Sequence, residues 1–433
     1  MSRKLQSLDG LRAIAIILVF FHHIRAVFPI WNAPSFYFRQ YIWQGWIGVD
    51  LFFVLSGFLI TGILIDSRDA VNYFRGFYVR RILRIFPLYY LVLTGIILAS
   101  ITLTRIHADS APVVAKLVPL PQDRWVYFCY LTNWIGLWKA QWDYQFSSIL
   151  AHFWSLAIEE QFYFVWPLVV WLARPRLLPW IAGIVAMLSA IVRFAWASHI
   201  GVQMLVPPAS IEILMATICR LDGLFIGALC AYLFRDSKLM LRVRKWLPAI
   251  AILGIGLFFL VFSVMLFLPR RGSMLVYGPK PTLPHTLEDA VRLFNLFGGY
   301  TLLAVGFGGW VLFAAYTETK NTIMQRFLKS RILGVIGKYS YGIYVFHVPI
   351  TGLAAAFIAP KLIVTSRADL IATQCAYAVV ITAVSFVIPA LSYEFFEKRI
   401  LALKRYFEPK YATQPSEIAP VQCALAPQTT TII

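Results

Sequence analysis

The sequence predicts an all-α membrane protein, a polytopic bundle with about ten transmembrane helices. Of its 433 residues, 60% are hydrophobic and 14% are charged, whereas soluble domains are closer to half apolar and a quarter charged. The mean hydropathy is +0.72, and the apolar residues fall in runs long enough to cross a bilayer as helices. The runs are too long for barrel strands and lack their alternation of apolar and polar residues, so helices are the expected element.

The apolar runs define the predicted helices in chain order. They cover residues 13–31, 43–65, 83–104, 151–172, 177–197, 211–234, 246–268, 291–317, 333–358 and 369–394. The first run follows a basic start but has no small-residue cleavage site, so we expect a retained span rather than a signal peptide. Residues 5–400 form one predicted transmembrane domain. Residues 401–433 form a predicted cytoplasmic tail, which we expect to be disordered because its end is polar and contains prolines.

The distribution of Lys and Arg predicts that both termini are cytoplasmic. With this orientation, the cytoplasmic loops and tails carry more than twice as many of these residues as the outer loops. This bias accounts for the net charge of +19 without a nucleic-acid partner. We therefore expect a multi-pass protein of the cell inner (plasma) membrane. Two long outer loops, 105–150 and 269–290, are candidate binding loops or lids.

The stretch LDGLRAIAIILVFFHH, at residues 8–23, carries an arginine and two histidines in an apolar run. His23 lies about 16 Å beyond Arg12 along a helix. A first span over 13–31 places Arg12 at the cytoplasmic mouth and His23 near the middle of the bilayer. Histidine takes and returns a proton near neutral pH, so His23 is a candidate catalytic base. The alternative is a histidine hydrogen-bonded inside the bundle, which is the preferred interpretation of His22.

A second polar cluster occurs in FYVRRILRIFPLYY, residues 77–90. Arg81 and Arg84 are three residues apart and share a helix face, whereas Arg80 points elsewhere. Paired guanidinium groups bind phosphate or carboxylate through two hydrogen bonds each. The alternative interpretations are ordinary positive-inside charge and binding of lipid headgroups.

Two carboxylates inside predicted spans are candidate partners of His23. Asp50 in GVDLFFVLSGFLI enters from the outer side and lies about 10 Å deep. Glu159 in FWSLAIEEQFYF shares a helix face with Ser155. Either carboxylate would orient and charge-stabilise His23, and Glu159 would otherwise act as a base or bind a sugar hydroxyl. The structural alternatives are an interhelical tether for Asp50 and an ion pair with an arginine such as Arg220 for Glu159.

Three further polar residues lie in apolar runs. Arg220 and Asp222 in CRLDGLFIGAL are predicted to form an ion pair within or between helices. His347 in SYGIYVFHVPI is either a second interior histidine or a structural one. The five cysteines have no CxxC pair and no metal-binding spacing, so we expect no metal site. The sequence contains no Gly-rich phosphate loop, HExxH or GxSxG motif to support nucleotide or zinc hydrolysis.

Six of these segments, in this order, resemble the acyltransferase-3 family of integral membrane acyltransferases, of the carbohydrate O-acetyltransferase type. The resemblance runs from about residue 5 to 400 and lies in LDGLRAIAIILVFFHH, GVDLFFVLSGFLI, RRILRIFPLYY, FWSLAIEEQFYF, RLDGLFIGAL and SYGIYVFHVPI. Arg12 and His23 match the family's Arg-x10-His motif, and Arg81 and Arg84 match its Arg-x-x-Arg motif. Glu159 matches the acidic position of its Ser-Leu-x-x-Glu stretch.

The resemblance implies a ten-helix bundle that moves an acyl group, most often acetyl, from cytoplasmic acyl-CoA to a hydroxyl of a surface carbohydrate or lipid-linked glycan. Acetyl-CoA would be the donor substrate, without a tightly bound cofactor, and the partners would be a carbohydrate or glycolipid acceptor and membrane lipids. An additional extracytoplasmic esterase-like domain is not expected. The expected catalytic residues are His23, Glu159 and Asp50, and the expected donor-binding residues are Arg12, Arg81 and Arg84.

Two alternatives come from other functional classes. The first is a polytopic transporter or flippase for a polar or anionic substrate, with Glu159, His23 and Arg220 along its path. No inverted repeat or pair of broken helices is evident in the sequence to favour it. The second is a membrane sensor or scaffold without catalysis.

Overall fold

A computed structural model of the protein describes residues 5–24, 33–106, 118, 123–134, 149–200, 215–267, 298–358 and 367–411. These residues contain no strand, which confirms the all-α prediction. Ten long helices follow the order of the predicted spans: α1 (Gln6–Ile24), α2 (Ile47–Asp66), α3 (Tyr73–Ile106), α4 (Phe153–Leu172), α5 (Leu178–Ile200), α6 (Leu221–Arg235), α7 (Leu247–Phe267), α8 (Tyr300–Tyr316), α9 (Arg331–Phe357) and α10 (Arg367–Ser392). Shorter helices cover Ala33–Trp43, Arg124–Phe128, Ser237–Val243, Ile323–Leu328 and Lys398–Leu401.

Length and apolar composition identify six membrane-crossing segments in the described part of the chain, or up to seven if a bent pair counts as one span. The six contain or overlap α1, α2, α3, α5, α9 and α10. The bent pair joins Ser237–Val243 to the first part of α7 at 59°. Of the other helices, α6 has 15 residues, α8 has 17, and α4 carries the polar run Glu159 to Gln161. The protein is therefore a multi-pass membrane helix bundle.

The first helix begins earlier than the sequence predicts. It starts at Gln6 instead of residue 13 because Glu318 accepts hydrogen bonds from the otherwise unpaired N–H groups of Gln6, at 3.0 Å, and Ser7, at 3.3 Å. Arg12 therefore lies inside α1, about 9 Å beyond its first residue. His23 lies in the last turn of α1. The depths of Arg12 and His23 in the bilayer remain predictions.

Helix α2 packs against α1, α4, α6 and α8. Small residues bring its backbone very close to that of α6. A methyl group at Gly57 would overlap the carbonyl oxygen of Leu224, and one at Gly227 would overlap that of Val54. The GVDLFFVLSGFLI and RLDGLFIGAL segments thus supply the two faces of one helix crossing.

The end of the described chain is packed against the bundle. Beyond α10 the chain continues to Tyr411, and the backbone N–H of Val71 donates to the carbonyl of Lys410 at 2.8 Å. The side chain of Asn72 bonds the carbonyl of Glu408 at 2.9 Å and the N–H of Lys410 at 2.8 Å. Residues 401–411 therefore belong to the folded part, in contrast to the predicted tail. The disorder predicted for 412–433, the loop 269–290 and most of the loop 105–150 lie outside the described residues.

The close α2–α6 crossing makes Gly57 sensitive to added volume. We expect Gly57→Ala to lower the free energy of unfolding by about 1–3 kcal/mol, because the new methyl group pushes α6 away. The matched control is Gly95→Ala on α3, where an added Cβ has no atom within 4 Å. Thermal denaturation of both variants in one detergent tests this, and equal midpoints would contradict the proposed packing.

Candidate functional site

A polar cavity of about 120 Å³ lies between α1, α2, α3, α4 and α9. We call it the arginine cavity because three arginines line it. Its polar lining consists of Arg12, Ser56, Arg81, Arg84, Ser155, Glu159, Tyr163, Ser340, Tyr341 and Tyr344. With three guanidinium groups and one carboxylate in their ordinary ionised forms, the lining carries a positive charge suited to an anion.

The arginines of the cavity differ in how they are paired. Arg12 donates to Asp9 at 3.1 Å, one turn earlier on α1. Within the described residues, neither Arg81 nor Arg84 forms a side-chain hydrogen bond or ion pair. The Arg81 guanidinium instead lies 6.0 Å from the ring centroid of Tyr163. Two guanidinium groups with unused donors are well suited to bind a phosphate group through paired hydrogen bonds.

Glu159 lies on the face of α4 that lines the arginine cavity, together with Ser155 and Tyr163, as the four-residue spacing predicts. It accepts a hydrogen bond from the hydroxyl of Tyr163 at 3.3 Å. That hydroxyl is also hydrogen-bonded to Ser56 on α2. Glu159 forms no hydrogen bond with His23 or Arg220 in the described part of the structure, so it orients neither of them.

Asp50 pairs with Arg220 and not with His23. Oδ1 of Asp50 lies 2.8 Å from Nη2 of Arg220, and both side chains are only 3% exposed. The guanidinium also lies 4.3 Å from the ring centroid of Tyr300. The prediction that Asp50 orients His23 is therefore wrong, and Asp50 forms the interhelical tether that was its structural alternative. Sequence spacing gave no sign of this contact, which joins the start of α2 to the residue that precedes α6.

A second buried ion pair accompanies the first. Nη2 of Arg193 on α5 lies 2.7 Å from Oδ2 of Asp222, with side chains 0% and 3% exposed. The hydroxyl of Thr301 on α8 lies 2.7 Å from both of these atoms. Asp222 thus pairs with a different arginine from the predicted Arg220. Sequence reasoning missed Arg193, although an arginine inside the apolar run IVRFAWA was the available signal.

His23 contacts another histidine. Its Nδ1 lies 2.9 Å from the carbonyl oxygen of Val19 and 3.3 Å from Nε2 of His347. Since a carbonyl only accepts, we assign the proton of the neutral His23 ring to Nδ1, which makes Nε2 its basic nitrogen. Nδ1 of His347 lies 2.7 Å from the carbonyl oxygen of Tyr344. The same reasoning leaves Nε2 of His347 as the acceptor toward His23.

A third histidine, His152, extends this cluster. Its ring centroid lies 5.1 Å from that of His347, and its Nε2 lies 3.3 Å from the carbonyl oxygen of Val345. Nδ1 of His152 is buried without a hydrogen-bond partner in the described structure. Sequence reasoning gave His152 no role. Its position three residues before Ser155, on the same helix face, was the signal that was missed.

Tyr344 and Ser155 separate the arginine cavity from the histidine cluster (His23, His152 and His347). Their hydroxyls are hydrogen-bonded to each other, and both residues line the cavity. The Tyr344 hydroxyl also donates to the carbonyl of His152 at 3.0 Å, and its ring centroid lies 5.5 Å from that of His347. Ser155, Tyr344 and His152 therefore lie between the arginine cavity and His347, and we call this series the polar column.

The spacing of Arg12 and His23 fits the two ends of this column. Eleven residues of α-helix make three turns plus about 20°, so both side chains leave the same face of α1. They are separated by about 16 Å along the helix. Arg12 lines the arginine cavity, and His23 joins the histidine cluster. The arrangement places an arginine-lined cavity at one end of the series and a basic imidazole at the other.

The acyltransferase-3 family matches this chain over most of its length. The sequence model of the family, described as an acyltransferase domain, covers residues 5–389. The chain therefore belongs to this family, which confirms the resemblance seen in the motifs.

Two curated relatives are similar to this chain in sequence. The peptidoglycan O-acetyltransferase OatA of Listeria monocytogenes serovar 1/2a is 29% identical over 413 residues, which cover 92% of this chain and 56% of the relative. The O-acetyltransferase OatA of Staphylococcus aureus strain NCTC 8325 is 27% identical over 354 residues, which cover 80% and 51%. The chain thus spans about half the length of these relatives. No solved structure matches it.

The buried Asp50–Arg220 pair makes a testable contribution to stability. Asp50→Asn leaves a buried guanidinium uncompensated, and we expect a loss of about 3–5 kcal/mol. Removing both charges with Asp50→Asn and Arg220→Gln should cost less than the sum of the single changes. Thermal midpoints of the three variants in detergent measure this coupling.

The control for this measurement is the same pair of changes at Asp66 and Arg235. These side chains also form an ion pair, at 2.6 Å, but are 46% and 29% exposed. We expect each of these changes to cost at most about 1 kcal/mol. Additive losses at Asp50 and Arg220 would contradict their assignment as one structural unit.

Proposed function

We propose that this protein is an acyltransferase of the inner (plasma) membrane. In this proposal it moves an acyl group, in the first instance acetyl, from cytoplasmic acyl-CoA to a hydroxyl of a cell-surface carbohydrate or lipid-linked glycan. The observation that carries the proposal is the polar column that links an arginine-lined cavity to His23 in a chain of the acyltransferase-3 family. The name of the Listeria relative makes peptidoglycan the first acceptor to test.

The arginine cavity is the proposed binding site for the acyl donor. Coenzyme A carries phosphate groups, and Arg81 and Arg84 offer guanidinium donors that no described side chain uses. Arg12 adds a third positive charge to the same lining. We place this end of the column toward the cytoplasm, in the orientation with both termini inside, because Lys and Arg are concentrated in the corresponding loops.

His23 is the proposed catalytic base. The acceptor hydroxyl gives its proton to Nε2 of His23 while its oxygen attacks the thioester carbonyl carbon. The carbon–sulfur bond breaks, and the departing thiolate takes the proton back from the imidazolium. In the second route, Nε2 attacks the thioester carbonyl carbon and the carbon–sulfur bond breaks, which gives an acyl-imidazolium and the thiolate of coenzyme A. The acceptor hydroxyl then attacks the acyl carbon, the carbon–nitrogen bond breaks to restore neutral His23, and the hydroxyl proton goes to the thiolate. In both routes the contacts of Nδ1 with Val19 and His347 hold the ring and its tautomer.

Two cavity residues have supporting roles in this proposal. Glu159 accepts hydrogen bonds, so it is suited to bind an amide of the donor or a hydroxyl of the acceptor. The thioester must pass Tyr344 and Ser155 to reach His23, so their mutual hydrogen bond opens during the reaction. Asp50 has a structural role in this proposal, because its Oδ1 is paired with Arg220.

Replacement of His23 tests the proposed base. Membranes are incubated with acetyl-CoA labelled in the acetyl group, and the label on glycan, lipid and protein is measured. We expect His23→Ala to abolish transfer because it removes the proposed base, while the thermal midpoint shows that the bundle is folded. The neighbouring His22→Ala is the matched control and should retain transfer. A fully active His23→Ala variant would contradict the assignment of His23 as the catalytic base. Ion-coupled uptake of a substrate, without labelling of any acceptor, would favour a transporter.

Replacement of Arg81 and Arg84 tests the proposed donor site. Arg81→Ala and Arg84→Ala each remove a charged hydrogen-bond donor, so we expect the KM for acetyl-CoA to rise about 10- to 100-fold. Arg80→Ala is the control, because Arg80 donates to the carbonyl of Gly76 at 2.7 Å and does not line the cavity. An unchanged donor KM in both cavity variants would place the acyl donor elsewhere.

A further inference from the structure

A second cavity, of about 560 Å³, lies between α3, α4 and the segment 123–134. We call it the lateral cavity. It shares Arg81 and Tyr163 with the arginine cavity, so these two side chains form the wall between the two spaces. Most of its remaining lining is aromatic or aliphatic, and the proposed chemistry of His23 does not use it.

The lateral cavity borders the surface that faces the membrane. Ile82 of α3 and Phe164 and Val165 of α4 line it, and they are 43%, 74% and 55% exposed. Apolar side chains exposed on the outside of a membrane bundle contact the hydrocarbon of the bilayer. A ligand of this cavity therefore comes from the lipid phase and has an apolar part that leaves between α3 and α4.

Two polar residues that line the lateral cavity lack side-chain hydrogen bonds among the described residues. Tyr130 is 6% exposed, and its hydroxyl has no partner in the described structure. The backbone of Tyr130 has φ 53°, in the left-handed region that bulky residues rarely adopt. Glu160 lines the same cavity and makes no hydrogen bond with any described residue. An unpaired buried hydroxyl and an unfavourable backbone both weaken the fold, which points to a ligand that uses them.

We infer that the lateral cavity binds a membrane lipid whose head carries hydroxyl groups, in other words a lipid-linked carbohydrate. The Glu160 carboxylate accepts hydrogen bonds from such hydroxyls, and the Tyr130 hydroxyl donates one to them. A plain hydrocarbon chain would leave both groups unpaired, and a small ion would not enter from the lipid side. This site lies beside the proposed donor site, since Arg81 and Tyr163 line both cavities, and the inference concerns a bound lipid there, not the acceptor at His23.

Cys129 provides a probe because it lines the lateral cavity and is exposed. Cys219 and Cys230 are buried, so Cys375→Ser and Cys423→Ser leave Cys129 as the reactive thiol. The protein is reconstituted in phosphatidylcholine nanodiscs with increasing amounts of monoglucosyl diacylglycerol or of diacylglycerol with the same chains. The rate of labelling by N-ethylmaleimide is then measured without an acyl donor. We expect saturable slowing by the glycolipid and much weaker slowing by diacylglycerol.

Two conservative variants distinguish a binding role from a structural one. Glu160→Gln and Tyr130→Phe should each raise the amount of glycolipid needed for protection about 10-fold. Without glycolipid, Tyr130→Phe should melt at the same temperature as the parent or higher, because it removes an unpaired buried hydroxyl. The control Tyr73→Phe removes a buried α3–α4 hydrogen bond of 3.0 Å to Pro167 outside the cavity. It should lower the melting temperature and leave protection unchanged.

The outcomes separate this inference from the proposed function. Equal protection by diacylglycerol, absence of protection, or full protection in both variants would overturn the glycolipid site. If the protein transfers acetyl groups but the glycolipid does not protect Cys129 from labelling, only the glycolipid site is overturned. If the glycolipid protects Cys129 but the protein transfers no acetyl group, the glycolipid site is supported and the proposed reaction is overturned.

Discussion

The backbone of α1 lies directly against those of α2 and α9, and the site depends on this contact. A methyl group at Gly48 of α2 would overlap the carbonyl oxygen of Ala15, and one at Gly337 of α9 would overlap that of Asp9. Helices in a membrane gain little from apolar contact alone, so close packing of small residues largely determines which faces meet. With α1 held on two sides, its remaining inward face is the one that carries Arg12 and His23. The arginine cavity and the histidine cluster are therefore consequences of how closely three backbones approach.

Charge pairing divides the buried ionisable residues into two groups. Asp50 with Arg220 and Asp222 with Arg193 are matched pairs with side chains at most 3% exposed, and they connect α2, α5 and α6. Such pairs hold helices together because breaking one leaves an uncompensated charge in a medium of low dielectric constant. Arg81 and Arg84 have no such partner among the described residues. An ionisable group kept unpaired inside a membrane bundle is expensive, so its presence is better explained by a ligand than by stability.

The fold class and part of the candidate site could be predicted from the sequence alone, because both depend on local geometry and on the thickness of the bilayer. Apolar runs of about 20 residues predict spans because the bilayer sets their length. Helical periodicity predicts that Ser155, Glu159 and Tyr163 share a face, because this depends only on local geometry. The partner of Asp50 was not predictable, since Arg220 is distant in the chain and only the tertiary fold brings them together. The start of α1 was missed for the same reason, because the Glu318 carboxylate that caps it comes from the loop after α8.

The adjacent acids Glu159 and Glu160 explain how one helix can serve two cavities. Successive residues of an α-helix point about 100° apart, so two neighbouring carboxylates cannot line the same narrow space. Glu159 lines the arginine cavity and Glu160 the lateral cavity. Between them α4 presents Tyr163, which with Arg81 forms the shared wall. A change in the position of either wall residue alters both cavities. Arg81 and Tyr163 are therefore the residues through which a ligand in the lateral cavity would change the shape of the donor site.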